Sequence, residues 1–447
     1  MASYAYFWGC YIPGRLPFME KSTRAVLGRL GVDVVDLPDL TCCPEKTAVR
    51  NLSHRLWLLT AARNLSVAEQ AGRDFVTPCT GCFSTLKGAN VELRSDPALA
   101  EEVNHALGRV GRRYHGTVEV LHLLDVIDQE AAAGALRDRI LYPLTGMRIA
   151  VHYGCHLLRP SQELMFDDPF WPTKFDQLVA TLGAESIPYP SKMDCCGNLL
   201  LRAGQEETAQ AMCRSKLREI AAREADALTL VCPSCMLQYD NVQHVLQRAG
   251  EELNLPVLYY PELLGLALGL GPDELALDRH RVSVAPFLAK WEERRQRIDS
   301  VREHWDYPLL RACAECGACV DDCPVARADP DFDPNAVVRA LASGELETVL
   351  HSPQLWKCVE CYTCAELCPN KYDQMTILRV AKSLAMARGL APEAVREGLR
   401  AFRETGRMAE GSVAQRRRLG LPPVPPAPAE ELRELLGEGE PTADERR

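Results

Sequence analysis

The amino-acid sequence predicts an α/β protein that contains two copies of one domain, followed by a smaller α-helical domain. Three observations support this fold class. An adjacent cysteine pair and a closing C-x2-C motif recur at a constant offset of 153 residues, β-prone runs alternate with helix-like segments inside each copy, and two later cysteine runs enclose a helical spacer. An offset of this length is too long for a solenoid and indicates duplication of a whole domain.

The composition is that of an ordinary globular chain except for its cysteines. The chain has 447 residues, of which 47% are hydrophobic and 25% charged, enough for two to four domains. Its net charge of −10 disfavours nucleic acid as a partner. We expect a cytoplasmic protein without a membrane span, because the sequence shows no long apolar run and no secretory signal. Nineteen cysteines in a reducing compartment indicate metal or cluster ligation rather than disulfides.

Each of the first two domains begins with a β-prone run that ends in a Gly-Cys pair. YAYFW precedes Gly9 and Cys10, and MRIAVHY precedes Gly154 and Cys155. The short apolar runs DFVT and LTLV end in C-x2-C motifs, and helix-like segments follow, such as MEKSTRAVLGRL closed by Gly31. This alternation predicts a mostly parallel sheet, with ligands brought together at the carboxyl ends of its strands.

Ten cysteines form two series with the same internal order: a single cysteine, an adjacent pair and a closing C-x2-C. In each series 35 residues separate the pair from the closing motif, whereas the gap before the pair is 31 residues in the first series and 39 in the second. The candidate ligands are Cys10, Cys42, Cys43, Cys79 and Cys82 in the first series, and Cys155, Cys195, Cys196, Cys232 and Cys235 in the second.

Five thiolates in each series exceed the four iron corners of a cubane cluster. Either one cysteine is not a ligand, or one sulfur bridges two irons, or the cluster is not a cube. Adjacent cysteines in a tight turn would place two sulfurs near neighbouring irons. Zinc and a redox dithiol remain alternatives on spacing alone.

The last domain carries two complete C-x2-C-x2-C-x3-C-P runs, the pattern that binds [4Fe–4S] clusters in two-cluster bacterial ferredoxins. The fourth cysteine of such a run usually ligates the cluster of the other run. We therefore expect one cluster on Cys313, Cys316, Cys319 and Cys368, and a second on Cys323, Cys358, Cys361 and Cys364. The spacer DPNAVVRALASGELETVL has apolar residues at helical spacing, with Asp333 or Asn335 as candidate caps, which indicates the helical variety of ferredoxin domain. The remaining cysteine, Cys213, is expected to be a buried small hydrophobe.

These motifs resemble heterodisulfide reductase. Both series match the CCG motif of its B subunit (HdrB), C-x31-39-CC-x35-36-C-x2-C, and the segments FWGCYIPGR, VHYGCHLLRPS, YPSKMDCCGN and LDRHRVSVAPFL agree with HdrB. The later segment LWKCVECYTCAELCP resembles the C subunit (HdrC). The resemblance covers residues 3–395 and implies a fusion of HdrB to HdrC, that is, duplicated CCG α/β domains followed by an α-helical ferredoxin-type domain.

The resemblance implies that each CCG set binds a noncubane [4Fe–4S] cluster through its five cysteines, and that the ferredoxin domain holds two cubane [4Fe–4S] clusters. In this family the noncubane clusters face a common cavity and cleave a disulfide between them. A flavin-containing protein similar to the family's A subunit (HdrA), or another electron donor, would deliver the electrons within a hetero-oligomer. His152 and His156, which flank Cys155, are candidate proton donors or residues that tune a cluster.

The predicted domains are a first CCG domain at 1–145, a second at 146–290, a helical linker at 291–306, a two-cluster ferredoxin domain at 307–395, and a helical, Pro-rich and partly disordered tail at 396–447. The favoured function is reduction of a low-molecular-weight or carrier-bound disulfide. The alternative is an electron relay between a flavin-containing or bifurcating partner and another oxidoreductase, and a zinc-organised scaffold is a third hypothesis. Two complete CCG sets favour the first, because a relay alone would not need a matched pair.

Overall fold

The structure is a computed structural model that describes residues 3–132, 134–369, 371–408 and 411–435 of the chain. It divides into two compact units, Met1–Gln296 and Arg297–Arg447. The division falls inside one helix, Ala285–Arg302, which covers part of the predicted linker. The boundaries of the five predicted domains stay predictions.

The first unit contains two four-stranded sheets with the same strand order. The strands are β1 (Ser3–Tyr6), β2 (Asp33–Asp36), β3 (Phe75–Thr77), β4 (Val120–His122), β5 (Arg148–His152), β6 (Glu185–Ile187), β7 (Ala227–Leu230) and β8 (Val257–Tyr259). The first sheet has the order β2-β1-β3-β4 and the second β6-β5-β7-β8, and every pairing is parallel. The predicted duplicated α/β fold with parallel sheets is confirmed.

Helices connect the strands and cover the sheets of the first unit. They are Tyr11–Arg15, Pro17–Leu30, His54–Gln70, Thr80–Ser95, Pro97–Leu107, Leu123–Ala132, Ala135–Arg139, Cys155–Leu158, Ser161–Leu164, Lys174–Thr181, Asn198–Arg202, Glu206–Ala221, Pro233–Arg248, Tyr260–Ala267 and Ala285–Arg302. Lys46–Arg50 forms a π-helical turn, and Gly108–Val110, Pro190–Met193 and Leu277–Arg279 form 3₁₀ turns. Proline stands at the start of Pro17–Leu30, and Gly31, with φ of 73°, follows its end, where the sequence predicts the helix to close.

Helices cover both faces of each parallel sheet and bury residues of its inner strands. All four residues of β7 are buried, as are all three of β3, whereas the edge strand β2 is exposed at both ends. Full burial of a side chain such as Leu228 or Leu230 stabilises the fold by about 1.5–3 kcal/mol. The sheets therefore form a rigid base for the loops at their carboxyl ends.

The strand order places the cysteine loops at the point where each sheet reverses its winding. β1 and β3 are neighbours with β2 and β4 outside them, so the connections after β1 and β3 leave in opposite directions. Open α/β sheets bind ligands in the crevice at such a point. Cys10 follows β1 and Cys79 follows β3, and Cys155 and Cys232 follow β5 and β7 in the same way.

The second unit is helical. Its helices are Tyr307–Cys316, Pro324–Ala328, Pro334–Ala342, Leu346–His351, Thr363–Glu366, Gln374–Ala387, Glu393–Thr405, Val413–Arg418 and Ala429–Leu435, with a 3₁₀ turn at Pro353–Lys357. Asp333 is the cap of the spacer helix, since its carboxylate accepts a hydrogen bond from Asn335 N at 2.8 Å. The tail predicted to be partly disordered contains two of these helices, Val413–Arg418 and Ala429–Leu435, and most of Glu393–Thr405; its residues 409, 410 and 436–447 lie outside the described residues. No helix in the described ranges is both long and apolar enough to cross a membrane.

Candidate functional site

One cavity in the first unit is lined by all ten cysteines of the two series. Its volume is about 190 Å³ and its walls are largely apolar. Each copy of the duplicated domain contributes its single cysteine, its adjacent pair and both cysteines of its closing motif. The duplication has therefore produced a single cavity with two sets of five thiols.

The closing motifs place their sulfurs at the N-termini of two long helices. Cys79 and Cys232 are the N-cap residues of Thr80–Ser95 and Pro233–Arg248, so Cys82 and Cys235 fall in the first helical turn. Free N–H groups and the positive end of the helix dipole lie there, and both stabilise a thiolate. The C-x2-C spacing thus gives each set two sulfurs beside the N–H groups of a helix N-terminus.

In each set, one cysteine of the adjacent pair lies close to the first cysteine of the set. Cys42 Sγ lies 3.7 Å from Cys10 Sγ, and Cys195 Sγ lies 3.9 Å from Cys155 Sγ. Hydrogen bonds from Cys155 and Cys196 lower the pKa of the Cys195 thiol to about 2. Hydrogen bonds with Cys42 and Cys82 lower the pKa of the Cys43 thiol to about 6. Each set therefore contains a thiol that loses its proton more readily than an ordinary cysteine.

The glycine before the first cysteine of each set allows the backbone to approach a sulfur. Gly9 has φ of +71°, and a Cβ at this position would lie 2.9 Å from Cys82 Sγ. Gly154 has φ of +78°, and its Cβ would lie 3.8 Å from Cys235 Sγ. Only glycine adopts this backbone conformation readily, which explains the Gly-Cys pairs noted in the sequence.

The two sets meet at their closing motifs. Hydrogen bonds of Cys232 with Cys235 of its own motif, with Cys79 of the first set and with Thr80 lower the pKa of Cys232 well below its usual value of 9.0. Thr80 belongs to the first copy of the domain and Cys232 to the second. The contact joins the two halves of the cavity directly.

The cavity contains few polar side chains besides the cysteines. Glu45 from the first copy and Arg202 from the second form an ion pair at 3.5 Å. His156 and Asn198 also line the cavity. A largely apolar cavity with a few convergent polar groups is typical of sites for small ligands.

The structure separates the two histidines that flank Cys155. His156 lines the cavity and is half-buried, so it can contact a bound molecule. His152 is 1% exposed and lies behind the cysteines, with Nε2 3.3 Å from Cys235 Sγ and Nδ1 3.3 Å from Lys216 Nζ. Burial, with a smaller effect of Lys216, lowers the pKa of His152 well below 6.5. A role for His152 in supporting Cys235 fits this position better than contact with a substrate.

Lys216 is a site residue that the sequence analysis missed. It is 2% exposed and donates a hydrogen bond to Asp194 O at 2.7 Å, in the loop before Cys195. The feature that could have identified Lys216 is its position on the buried face of the helix Glu206–Ala221, next to Leu217. Lysines are seldom fully buried, so sequence alone assigns such a residue to solvent. Cys213, on the same face, is buried as predicted and is 0% exposed.

The eight cysteines of the second unit gather in two groups. One group consists of Cys323, Cys358, Cys361 and Cys364, and the other of Cys313, Cys316, Cys319 and Cys368, with Cys364 also beside it. This grouping is the one expected if the fourth cysteine of each run ligates the cluster of the other run. Tyr372 N donates to Cys368 Sγ at 3.1 Å, a kind of contact that tunes cluster potentials. The assignment of individual ligands stays a prediction.

The donors in all four groups are thiols, which fits iron–sulfur clusters. Throughout the part of the chain that the structure describes, no three His, Cys, Asp or Glu side chains are arranged to hold a single metal ion. The thiols number five in each set of the first unit and four in each group of the second, and thiols are the donors that iron–sulfur clusters use.

Two protein families match the chain. The Cysteine-rich domain family (CCG) matches residues 4–87 and 149–240, and the 4Fe-4S dicluster domain family matches residues 309–372. The first family covers each cysteine series, and the second covers all eight later cysteines. Both matches agree with the domain types inferred from the motifs.

Known proteins are similar to different parts of this chain. The B subunit of the "Ferredoxin/F(420)H(2)-dependent CoB-CoM heterodisulfide reductase" of Methanosarcina acetivorans is 39% identical over 65% of this chain and 97% of its own length. An HdrC-like protein of Archaeoglobus profundus is 28% identical over 34% of this chain and 85% of its own length. The "8-methylmenaquinol:fumarate reductase membrane anchor subunit" of Wolinella succinogenes is 32% identical over 62% of this chain and 96% of its own length.

The fold also occurs in a solved structure of another protein. A hypothetical protein from Helicobacter pylori matches with a TM-score of 0.52 and 17% sequence identity. The match covers 63% of this chain and 52% of that chain, about half its length. At this identity the match shows similarity of fold alone.

Proposed function

This chain belongs to the heterodisulfide reductase family, with an HdrB part followed by an HdrC-like ferredoxin domain, and on that premise we propose that it reduces a disulfide in the ten-cysteine cavity. The observation that carries the proposal is that both complete cysteine sets line the same cavity. In the reaction, one disulfide takes up two electrons and two protons and yields two thiols. The oxidoreductase would act within a larger complex.

Each cysteine set would hold one noncubane [4Fe–4S] cluster. When bound, each cluster would supply one electron at a time, so two clusters facing one cavity match the two electrons that a disulfide needs. The chain contributes five thiols to each cluster, among them the sulfurs at the N-termini of Thr80–Ser95 and Pro233–Arg248. The hydrogen bond between Cys79 and Cys232 supports a short separation between the two sets.

The polar residues of the cavity have roles that follow from their positions. The apolar walls exclude water from the disulfide and strengthen electrostatic interactions within the cavity. We assign His156 as a proton donor to a released thiolate, because its ring lies in the cavity wall beside Cys155. The ion pair of Glu45 and Arg202 joins the two copies of the domain and presents a charged group to a substrate.

The second unit would deliver the electrons through two cubane [4Fe–4S] clusters held by its two cysteine groups. The electron donor would be a flavin-containing HdrA-like protein or another low-potential protein. Relatives of both parts of the chain carry the names of reductase subunits, which supports a hetero-oligomer. The reductase of Methanosarcina acetivorans is named as ferredoxin- and F(420)H(2)-dependent, which supports a low-potential donor.

A second candidate function is an electron relay without a disulfide substrate. The relative from Wolinella succinogenes, which matches 62% of this chain, is named as part of a fumarate reductase that uses 8-methylmenaquinol. A similar protein is therefore named for a reaction without a disulfide. The chain would then connect a flavin-containing or bifurcating partner to another oxidoreductase. The two complete sets of five cysteines favour disulfide reduction over this alternative.

Cluster content tests the ligand assignment. Protein purified without oxygen should contain about four clusters and about sixteen irons if each cysteine group holds a tetranuclear centre. Cys196→Ser should lose the signals of one noncubane centre and retain those of the ferredoxin centres, as measured by iron and sulfide analysis and EPR spectroscopy. Cys213→Ala is the matched control, because Cys213 is also buried but does not line the cavity. Stoichiometric zinc, or a Cys196→Ser variant with unchanged spectra, would refute the assignment.

The reaction itself is tested with reduced viologen as the electron source. A panel of disulfides, including the CoB–CoM heterodisulfide named for the relatives, should give thiols at twice the molar amount of disulfide consumed. Cys196→Ser should abolish thiol release, and Cys213→Ala should retain it. Fast electron transfer to a protein acceptor without turnover of any disulfide would support the relay instead.

A further inference from the structure

The loops that carry the two cysteine pairs are held by different kinds of side chain. In the first copy the fully buried Asn64 accepts a hydrogen bond from Thr41 N at 3.0 Å and donates one to Cys42 O at 3.2 Å. In the second copy Lys216 donates to Asp194 O at 2.7 Å. A neutral amide thus holds one loop, and an ammonium group holds the other.

The internal duplication identifies Arg63 as the counterpart of Lys216, since it stands 153 residues earlier. Arg63 is half-buried and donates to Asp39 O, three residues before Cys42. Lys216 is 2% exposed, and its acceptor Asp194 directly precedes Cys195. The cation of the second copy is therefore more deeply buried than that of the first, and its contact lies closer in the chain to the cysteine pair.

Lys216 is also linked to a cysteine of the second set through a histidine. Its Nζ lies 3.3 Å from His152 Nδ1, and His152 Nε2 lies 3.3 Å from Cys235 Sγ. The residue at the same distance before the first cysteine of the other set is Phe7, which is 1% exposed and carries no polar group. The first copy therefore has no side chain at this position that could make the same link.

A buried cation affects a redox centre more strongly than a solvated one, because little water screens it. A reduced cluster carries one negative charge more than the oxidised cluster, so a nearby ammonium group favours the reduced state. The carboxylate of Asp194 is exposed to solvent, whereas the ammonium group of Lys216 binds the buried side of the loop. Burial lowers the pKa of Lys216 to about 8, so the group remains charged at neutral pH.

We propose that Lys216 makes the centre at the second cysteine set easier to reduce than the centre at the first, so that the first electron reaching the cavity resides at the second set. The inference rests on the proposed function, since it requires a redox centre at each set. Lys216 is a positioning and tuning residue in this proposal, because it acts through His152 and the cysteine loop.

The wild-type protein provides the first test. In an anaerobic redox titration followed by EPR, the two noncubane centres should become half reduced at different potentials. The centre with the higher potential should be the one that Cys196→Ser removes. We expect a difference of about tenfold or more between their reduction equilibrium constants, which corresponds to about 59 mV for one electron.

Variants at position 216 separate charge from hydrogen bonding. Lys216→Gln keeps an N–H donor but removes the charge, and should make the second centre about tenfold harder to reduce while the first centre is unchanged. Lys216→Arg keeps the charge and should restore the wild-type potential to within about threefold. Arg63→Gln is the matched control, which removes the counterpart charge and should leave the second centre unchanged.

The outcomes distinguish this inference from the proposed function. Equal potentials in the wild type, an unshifted second centre in an iron-replete Lys216→Gln variant, or an equal shift in Arg63→Gln would overturn the role of Lys216 alone. Absence of iron at both cysteine sets would overturn the proposed function and this inference together. If the Lys216→Gln variant failed to bind the cluster of the second cysteine set, equal potentials of the two centres in the wild type would still overturn the role of Lys216.

Discussion

Gly9 sets how closely the chain passes the first cysteine set. Its φ of +71° is unfavourable for other residues, and a Cβ would lie 2.9 Å from Cys82 Sγ. We expect Gly9→Ala to destabilise the protein by about 1–2 kcal/mol through the backbone alone and to lower the iron content of the first set, because Cys82 must move. Thermal unfolding and iron analysis under anaerobic conditions measure both effects.

Gly28 provides the control for this substitution. It is exposed within Pro17–Leu30, and no atom lies within 4 Å of its hypothetical Cβ. Gly28→Ala should stabilise the protein by about 0.5–1 kcal/mol and leave the iron content unchanged. An iron-replete Gly9→Ala variant with wild-type stability would show that the close approach to Cys82 is unimportant.

Spacing identified the ten cysteines of the cavity, because a repeated cysteine motif is directly visible in the sequence. The ion pair of Glu45 with Arg202 and the buried Lys216 belong to no such motif. Both depend on segments far apart in the chain, and charged side chains in helices are usually solvated. At the scale of single residues, the sequence therefore predicts the cysteines of the cavity better than the charged side chains around them.

A buried ion pair joins three elements beside the second sheet of the first unit. His280, after the turn Leu277–Arg279, lies 3.1 Å from Glu262 on Tyr260–Ala267, and the two side chains are 1% and 0% exposed. Phe18 on Pro17–Leu30 packs against the His280 ring at 5.0 Å between centroids. Burial opposes a charge on His280, but Glu262 outweighs it and raises the pKa of His280 above 6.5.

The raised pKa predicts how this contact depends on pH. A folded-state pKa above the unfolded value adds stability that is complete below about pH 6.5 and is lost as the pH rises through the folded value. His280→Gln should therefore lower the free energy of unfolding by about 1.5–3 kcal/mol at pH 6 and by less at pH 9. Chemical denaturation at both pH values measures the difference. As a control, His115→Gln changes an exposed histidine and should alter stability by less than about 0.5 kcal/mol at either pH. An equal loss of stability for His280→Gln at both pH values would contradict the role of the ion pair.

The sequence predicted the inner strands and the helix that Gly31 closes, and it missed the edges of the sheets. β1, β3, β5 and β7 lie at or within apolar runs that end in cysteine loops, so composition marks them. Among the four outer strands, β2 and β6 are three or four residues long and partly exposed, which gives them little hydrophobic signal. The π-helical turn Lys46–Arg50, shortly after the first cysteine pair, has no sequence signature of its own.

The duplication was evident from the sequence, but the shared cavity was not. A constant offset shows that one cysteine arrangement occurs twice, without showing whether the two copies face each other. That relation depends on the packing of one copy against the other. The hydrogen bond between Cys79 and Cys232 and the ion pair of Glu45 with Arg202 are contacts of this kind. The family resemblance supplied the expectation of a common cavity, and the structure places all ten cysteines around one.

The central claim is that this cavity contains two separate iron–sulfur centres, one for each set of five cysteines. The most direct measurement is a crystal structure of the anaerobically purified protein, with iron located by anomalous scattering. We predict two groups of four irons at the cavity, each bonded to the cysteines of one set. A cavity without iron, or one iron group shared by both sets, would contradict this claim.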